Sequence, residues 1–235
     1  MENFTLFDTI KIAWEKVKGT KGIFWGIFLI MFLFDIINGI MGSLNKESYS
    51  FTYAFIGLIA QLIGTFISFS LLYLGIQRAF NRPIAFSLIK YGLQFSIIIR
   101  MIGLFILQYL IMIPFLFLFI APIFAVMKLD LSTALSVVLI LVSIIGFVLA
   151  VYVMIRLAVA NAFILDQKYN PIKALKSSFR VTKSHVLELI GIAFINFLIL
   201  LISAIPLGIG LIWSFPYLVI NFGEIYKKLV ENART

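Results

Sequence analysis

Few residues in this chain have the types and spacing that catalysis requires. Cysteine is absent and His185 is the single histidine, so cysteine nucleophiles, disulfides and thiolate metal sites are excluded. No HExxH or GxSxG motif occurs, and no glycine-rich loop could cradle a phosphate. Hydrolysis needs a nucleophile positioned beside a base, or a metal cluster. We therefore expect a non-enzymatic protein with no catalytic residue, no cofactor and no metal site.

The remaining candidates are polar side chains in or near long apolar segments, where an unpaired charge costs at least ~2.5–3.5 kcal/mol. Asp35 lies well inside such a segment, and it either binds a proton or cation or simply reaches the outer surface. Arg100, Arg156 and Glu188 each lie about one turn from a segment end, where either snorkelling to the membrane boundary or mutual pairing explains them, and Arg100 with Glu188 is the candidate charge pair. Four amides also have apolar surroundings: Gln61, Gln108, Asn161 and Asn196. We expect them to form interhelical hydrogen bonds.

A basic amphipathic helix is predicted just after residue 170. Asn170 is a good cap and Pro171 a good first residue. Ile172, Leu175 and Phe179 form an apolar stripe. A second stripe consists of four cations: Lys173, Lys176, Arg180 and Lys183. Either the cations bind anionic lipid headgroups, at roughly 1 kcal/mol each, or they only set the membrane topology.

The elements that position these residues are predicted to be membrane-spanning helices. Hydrophobic residues make up 63% of the 235 and charged residues 12%, with a mean hydropathy of +1.12. This composition is far more apolar than the core of a soluble domain requires. Runs longer than about 18 apolar residues recur, and they lack the alternation of barrel strands. We predict an all-α integral membrane protein of one domain with six spans: Gly22–Met41, Phe51–Ile76, Ile97–Ala121, Thr133–Ile155, Val186–Ile205 and Leu207–Phe222. The last two are either separate spans or one kinked or re-entrant element.

The distribution of charge predicts the orientation. The net charge is +9, and the cations concentrate in segments 77–94 and 156–185, whereas segments 42–50 and 126–132 carry one cation each. The positive-inside rule places the two basic segments and both termini in the cytoplasm. The basic charge is therefore assigned to an anionic bilayer surface and not to nucleic acid.

An internal repeat is predicted from matches at fixed offsets. Shifts of 77 and then 88 residues align Trp14 with Tyr91 and Phe179. The same shifts align a glycine in the first, third and fifth spans: Gly26, Gly103 and Gly191. Aromatics and glycines are common here, so chance matches are the alternative. The repeats would be 1–76, 77–164 and 165–235, each a cytoplasmic amphipathic helix followed by two spans.

The segment 165–183, LDQKYNPIKALKSSFRVTK, resembles the YciC-like family of uncharacterised bacterial inner-membrane proteins. That family is similar to the membrane domain attached to some glycerophosphodiester phosphodiesterases. The shared pattern is an acidic residue after a span, then a run leading into a Ser-aromatic-Arg-x-Thr helix and another span. The resemblance implies a multi-pass protein of the bacterial cytoplasmic membrane. It implies no phosphodiesterase activity, because the catalytic domain has no counterpart in these residues.

Two classes of function fit these observations. The first is small-solute transport or lipid interaction by a polytopic membrane protein. The second is a membrane scaffold or partner-binding subunit, in which the amphipathic helices dock a membrane-protein partner. A polar, water-filled cavity would favour transport, and a dry core would favour the scaffold.

Overall fold

The computed structural model describes residues 6–44, 51–129, 131–205 and 208–233, and these residues form helices and turns without a strand. The predicted outer connections at segments 42–50 and 126–132 lie partly outside the described residues. Ten α-helices follow one another along the chain: α1 Leu6–Glu15, α2 Lys21–Leu44, α3 Phe51–Ala79, α4 Ile89–Gly92, α5 Phe95–Lys128, α6 Thr133–Leu157, α7 Ala160–Gln167, α8 Pro171–Val181, α9 Val186–Ala204 and α10 Leu211–Asn232.

Within the described residues, five helical segments are long and apolar enough to cross a membrane: Lys21–Ile40, Phe55–Ala79, Phe95–Lys128, Thr133–Gln167 and Val186–Ala204. The all-α prediction is confirmed, and the first five predicted spans each correspond to one of these segments. The sixth, Leu207–Phe222, falls mainly on α10, which is not among them. Helix α10 differs because it is buried along most of its length and carries charged side chains in its second half, such as Glu224 and Lys227.

The buried residues of the long helices gather at one end of the bundle. They lie near the start of α2, α5 and α9, for example Phe24, Met101 and Ile192, but near the end of α3 and α6, for example Leu74 and Ile155. Consecutive long helices therefore alternate in direction. We call this packed end, which includes α1, α4, α7, α8 and most of α10, the base. Beyond the base the long helices expose apolar side chains, as expected of surfaces that face lipid.

Close backbone approach holds α10 inside the base. A Cβ added at Gly75 of α3 would lie 2.2 Å from the carbonyl oxygen of Val219, and one added at Gly223 would lie 2.4 Å from the oxygen of Gly75. Small residues let helices approach this closely, and in lipid such packing replaces the hydrophobic effect as the force between helices. Helix α10 thus packs directly on α3.

The segment before α5 differs from the prediction. A full amphipathic helix was expected in 77–94, but the structure has a single 3-10 turn, Phe86–Leu88, and the one-turn helix α4. Pro83 removes a backbone donor. Gly92 packs directly on α3, since a Cβ there would lie 2.4 Å from the oxygen of Phe66. The segment therefore consists of short turns that pack against α3 at Gly92.

Candidate functional site

An ion pair in the base joins α1 to α10. Lys16 Nζ lies 2.6 Å from Glu224 Oε1, and the Glu224 side chain is 1% exposed. The same ammonium donates to the carbonyl oxygen of Ala79 at 2.6 Å. Arg78 Nε donates to the backbone oxygen of Lys16 at 3.0 Å. One cation therefore ties together α1, the end of α3 and α10.

A second polar cluster surrounds Asp166, at the end of α7. Its Oδ1 accepts from Arg82 Nη1 at 2.9 Å, and its Oδ2 accepts from the hydroxyl of Tyr226 at 3.1 Å. Burial, followed by the Asp166 charge, raises the pKa of Tyr226. Burial also raises the pKa of Tyr91 to about 12, so its hydroxyl stays protonated and donates to the oxygen of Leu165 at 2.7 Å. The cluster holds α4, α7 and α10 together.

Arg156 joins α6 to α8 without an acidic partner among the described residues. Its side chain is 8% exposed, and its guanidinium donates to the hydroxyl of Tyr152 at 2.9 Å and to the carbonyl oxygen of Phe179. The Phe179 ring lies 5.2 Å from the guanidinium carbon, close enough for a cation–π contact. Ser178 Oγ donates back to the oxygen of Arg156 at 2.7 Å. Arg156 is thus buried where α6 meets α8.

Helix α8 begins as its sequence predicts: the Asn170 side chain accepts from the backbone nitrogen of Lys173 at 2.8 Å, and Pro171 is the first helical residue. The buried face, however, differs from the predicted apolar stripe. It consists of Ala174, Leu175, Ser178 and Val181. Ile172 is 58% exposed, because α8 turns that edge away from its neighbours α5, α6 and α7.

The four cations of the predicted basic stripe are all exposed: Lys173, Lys176 and Arg180 on α8, and Lys183 just after its end. None of them forms an ion pair with a residue that the structure describes. Lys173 Nζ lies 3.8 Å from the centre of the Tyr169 ring. The other three extend from the base without a charged partner on the described part of the chain. The exposed face of α8 therefore carries positive charge that no neighbouring acidic residue on the described part of the chain neutralises.

An apolar groove runs between α5 and α8. It has a volume of about 340 Å³ and is lined by Leu107, Ile172, Leu175, Lys176 and Phe179. A second apolar cavity, of about 420 Å³, lies farther along α5, on the side away from the base. Its lining residues are Ile113, Leu116, Phe117, Ile120, Ala121 and Phe124. Both open on the outer surface of the bundle.

The predicted intramembrane candidates have different environments. Asp35 and Gln61 are exposed on α2 and α3 and line neither of these cavities. Gln108 Nε2 makes only a long contact, 3.5 Å, with the oxygen of Leu157. Asn196 Oδ1 lies at the α9–α10 contact and accepts two hydrogen bonds from α10, at 2.8 and 3.0 Å.

The predicted pair between Arg100 and Glu188 is absent. Arg100 donates to the backbone oxygen of Lys168, at the end of α7, and the Glu188 carboxylate lies 4.0 Å from His185 Nδ1 on its own helix. The carbonyl of Lys168 caps the end of α7, where helix carbonyls lack partners within the helix, so it can accept the Arg100 hydrogen bond in place of a carboxylate. The two residues therefore have separate local partners.

Sequence reasoning missed the residues that organise the base. Glu224 was not singled out, although it is a carboxylate within an otherwise apolar helical pattern. Asn221, buried one turn earlier, donates through Nδ2 to Asn196 Oδ1. Asp166 entered only as the acidic residue after a span in the 165–183 pattern. Its partners are distant in sequence, so spacing alone gave no signal.

The sequence and the structure were compared with known proteins, and no relative was found. No protein-family model, curated protein or solved structure matches the chain. The functional argument therefore rests on the geometry of the base and of α8.

Proposed function

We propose that this chain is a non-enzymatic, multi-pass membrane protein that binds anionic lipid headgroups through α8. The observation that carries the proposal is the position of the four cations: three are exposed on α8, whose opposite face is buried in the base, and Lys183 is exposed just after its end. Such a helix is rigid, so its cations need not lose backbone entropy when they bind. Each basic residue near an anionic surface contributes roughly 1 kcal/mol, which makes the four together a substantial attraction.

The cavities favour lipid interaction over solute transport. A transport pathway for a polar solute needs polar groups along a water-filled cavity. The groove between α5 and α8 and the cavity above it are instead lined almost entirely by apolar side chains, and Asp35 faces outward on α2. Lipid chains are the natural occupants of such surfaces.

We place the base at the cytoplasmic face of a bacterial inner membrane, in keeping with the positive charge of the base and the YciC-like pattern in 165–183. Leu207–Phe222 stays the proposed sixth span, either as a full crossing or as a re-entrant return of the chain from α9 to the base. Trp25 Nε1, close to the base end of α2, donates to the oxygen of Ile212 at 3.0 Å, and this contact favours the re-entrant form. A full crossing and a re-entrant loop both return the chain to the base. The Lys16–Glu224 contact supports the proposal that α1 and the end of α10 lie on the same side of the membrane.

The three-unit repeat remains part of the proposal, and one series of contacts supports it. Tyr91 stacks on Tyr73 of α3 at 3.8 Å, and Trp14 packs on Tyr217 of α10 at 5.1 Å. Phe179 packs on the guanidinium of Arg156 of α6. Each predicted equivalent aromatic thus contacts the second long helix of the preceding unit, and Trp14 of the first unit contacts the last.

Two of the three glycines of the predicted repeat, Gly26 and Gly103, follow the same order. A Cβ at Gly26 would lie 3.2 Å from the Phe86 ring, and one at Gly103 would lie 3.0 Å from Pro171. In both cases the glycine faces the short helical segment that opens the next unit. Helix α9 of the third unit packs on α1 of the first unit, so the third unit contacts the first as each earlier unit contacts the next. A cyclic arrangement of three units accounts for all of these contacts.

The proposal predicts that the cations of α8 determine the lipid preference of the full-length protein. Changing Lys173, Lys176, Arg180 and Lys183 to Gln lowers the net charge from +9 to +5. We expect the excess of anionic over zwitterionic lipid around the protein, measured in nanodiscs of mixed composition, to fall by about an order of magnitude at low salt. The effect should shrink at high salt, where charges are screened.

The matched control removes the same charge elsewhere. Changing Lys11, Lys18, Lys227 and Lys228 to Gln also gives +5, and we expect it to leave most of the anionic excess in place. If the α8 variant keeps the lipid preference of the wild type, the lipid role is wrong. The cations would then be better explained by a docked partner protein or by topology.

A further inference from the structure

We propose that the groove between α5 and α8 is a binding site for one anionic phospholipid, with an acyl chain in the groove and the phosphate at Lys176 and Arg180. The inference rests on the proposed function but assigns a specific site and stoichiometry to it. General attraction of headgroups to α8 requires no groove and predicts no single tightly held molecule.

The composition of the groove matches an amphipathic ligand. Four of its five lining side chains are apolar, namely Leu107, Ile172, Leu175 and Phe179, and the fifth is Lys176. Ile172 is 58% exposed at one edge, so a ligand in the groove would remove apolar surface from any aqueous phase at the base. A water-soluble anion would gain nothing from these walls.

The cation at the groove is available for a phosphate. Lys176 forms no ion pair with a described residue, and Arg180 lies one turn farther along α8 on the same exposed side. Residues four apart on a helix are neighbours, so both can reach one phosphate. Lys173 is less available, because its ammonium lies over the Tyr169 ring. Lys183 lies beyond the end of α8 and away from the lining residues.

The groove also leads toward the membrane interior along α5. Gly103 packs against Pro171 at the start of α8, and residues at spacings of three and four continue that face through Leu107 and Leu110 to Phe117 and Ala121. The last two line the second apolar cavity. Ten residues of helix rise about 15 Å, which equals about half of the roughly 30 Å hydrocarbon core. An acyl chain that begins at Leu107 therefore fits within one leaflet.

The test counts lipids that stay bound to the full-length protein by native mass spectrometry from a neutral detergent. Phosphatidylglycerol and phosphatidylcholine with identical acyl chains are the two lipid arms, and glycerol 3-phosphate tests the headgroup without a chain. We expect one retained phosphatidylglycerol, little phosphatidylcholine and no glycerol 3-phosphate. Retention of both lipids alike would overturn the headgroup assignment, and binding of glycerol 3-phosphate would overturn the role of the chain.

Two kinds of variant separate the groove from the basic stripe. Ile172→Trp fills the groove without changing charge, and we expect it to weaken retention at least about ten-fold, because two or three methylenes lose their burial. Leu107→Trp fills it from the other wall. Lys176→Gln should weaken retention about five-fold, whereas Lys183→Gln, an equal loss of charge outside the groove, should not.

The outcomes of the two proposals are distinguishable. If the tryptophan variants lose the retained lipid but keep the anionic excess in nanodiscs, both proposals stand. If they retain phosphatidylglycerol as the wild type does, the groove proposal is wrong and the basic stripe is unaffected. If no variant or wild-type protein prefers anionic lipid in nanodiscs, the proposed function fails as well. A melting curve of each variant excludes general unfolding as the cause of lost binding.

Discussion

Gly75→Ala is expected to lower the free energy of unfolding by about 3 kcal/mol, the upper part of the usual range for overpacking. The added Cβ would lie 2.2 Å from the Val219 carbonyl oxygen and 2.7 Å from its carbon, and both are backbone atoms. No rotamer change can relieve such a contact, so α3 and α10 must separate. Because α10 carries Glu224 and Tyr226, the separation would loosen both polar clusters of the base.

Unfolding in mixed micelles, followed by the fluorescence of the three tryptophans, measures this loss. Gly223→Ala should behave in the same way, since its Cβ would meet the Gly75 oxygen at 2.4 Å. Gly64→Ala is the matched control on α3, because nothing lies within 4 Å of its added Cβ. That change should be neutral or stabilise the helix by up to about 1 kcal/mol. Equal stability of the Gly75 and Gly64 variants would contradict the packing of α10 on α3.

Lys16→Met should destabilise the protein by about 3–5 kcal/mol, the range for removing one member of a buried ion pair. Glu224 is almost fully buried, and its carboxylate would lose the ammonium at 2.6 Å. Because the charges are costly to bury, replacing both residues should cost much less. We expect Lys16→Met/Glu224→Met to recover most of the loss, which a double-mutant cycle measures.

Lys11→Met is the control for this series, because Lys11 is exposed on the same helix. It should change stability by no more than about 0.5 kcal/mol. Protease sensitivity gives a second readout: α1 should be cut in the Lys16→Met protein and protected in the double variant. A coupling energy near zero between Lys16 and Glu224 would show that the pair does not hold α1 to α10.

Hydropathy predicted the bounds of the five long apolar helices to within about three residues, except that α5 continues to Lys128, beyond the predicted end at Ala121. The agreement arises because the length of an apolar run is set by the thickness of the bilayer. The prediction Val186–Ile205, for instance, differs from α9 by one residue. The cap of α8 was predictable for a similar reason: Asn170 and Pro171 act on the backbone next to them. Helix bounds and helix caps are predictable from sequence because neighbouring residues determine them.

The contacts of the base were not predictable, because they join residues far apart in the chain. Lys16 and Glu224 are separated by most of the sequence, and nothing in their spacing indicates a pair. Arg100 found a helix-terminal carbonyl and not the predicted Glu188, since many acceptors compete for an arginine at a membrane boundary. The burial of α10 follows from Gly75 and Gly223 acting together. Either glycine alone reads as an ordinary residue of an apolar helix.

The measurement that tests the account most directly is the side of the membrane on which the base lies. The natural chain has no cysteine, so single cysteines can be introduced without background. A membrane-impermeant maleimide should label Asn45→Cys and Asp130→Cys, two positions outside the described residues, in intact cells. Lys90→Cys and Lys176→Cys should be labelled only after the membrane is permeabilised. Labelling of Lys176→Cys in intact cells would contradict a cytoplasmic base and the lipid contacts assigned to α8.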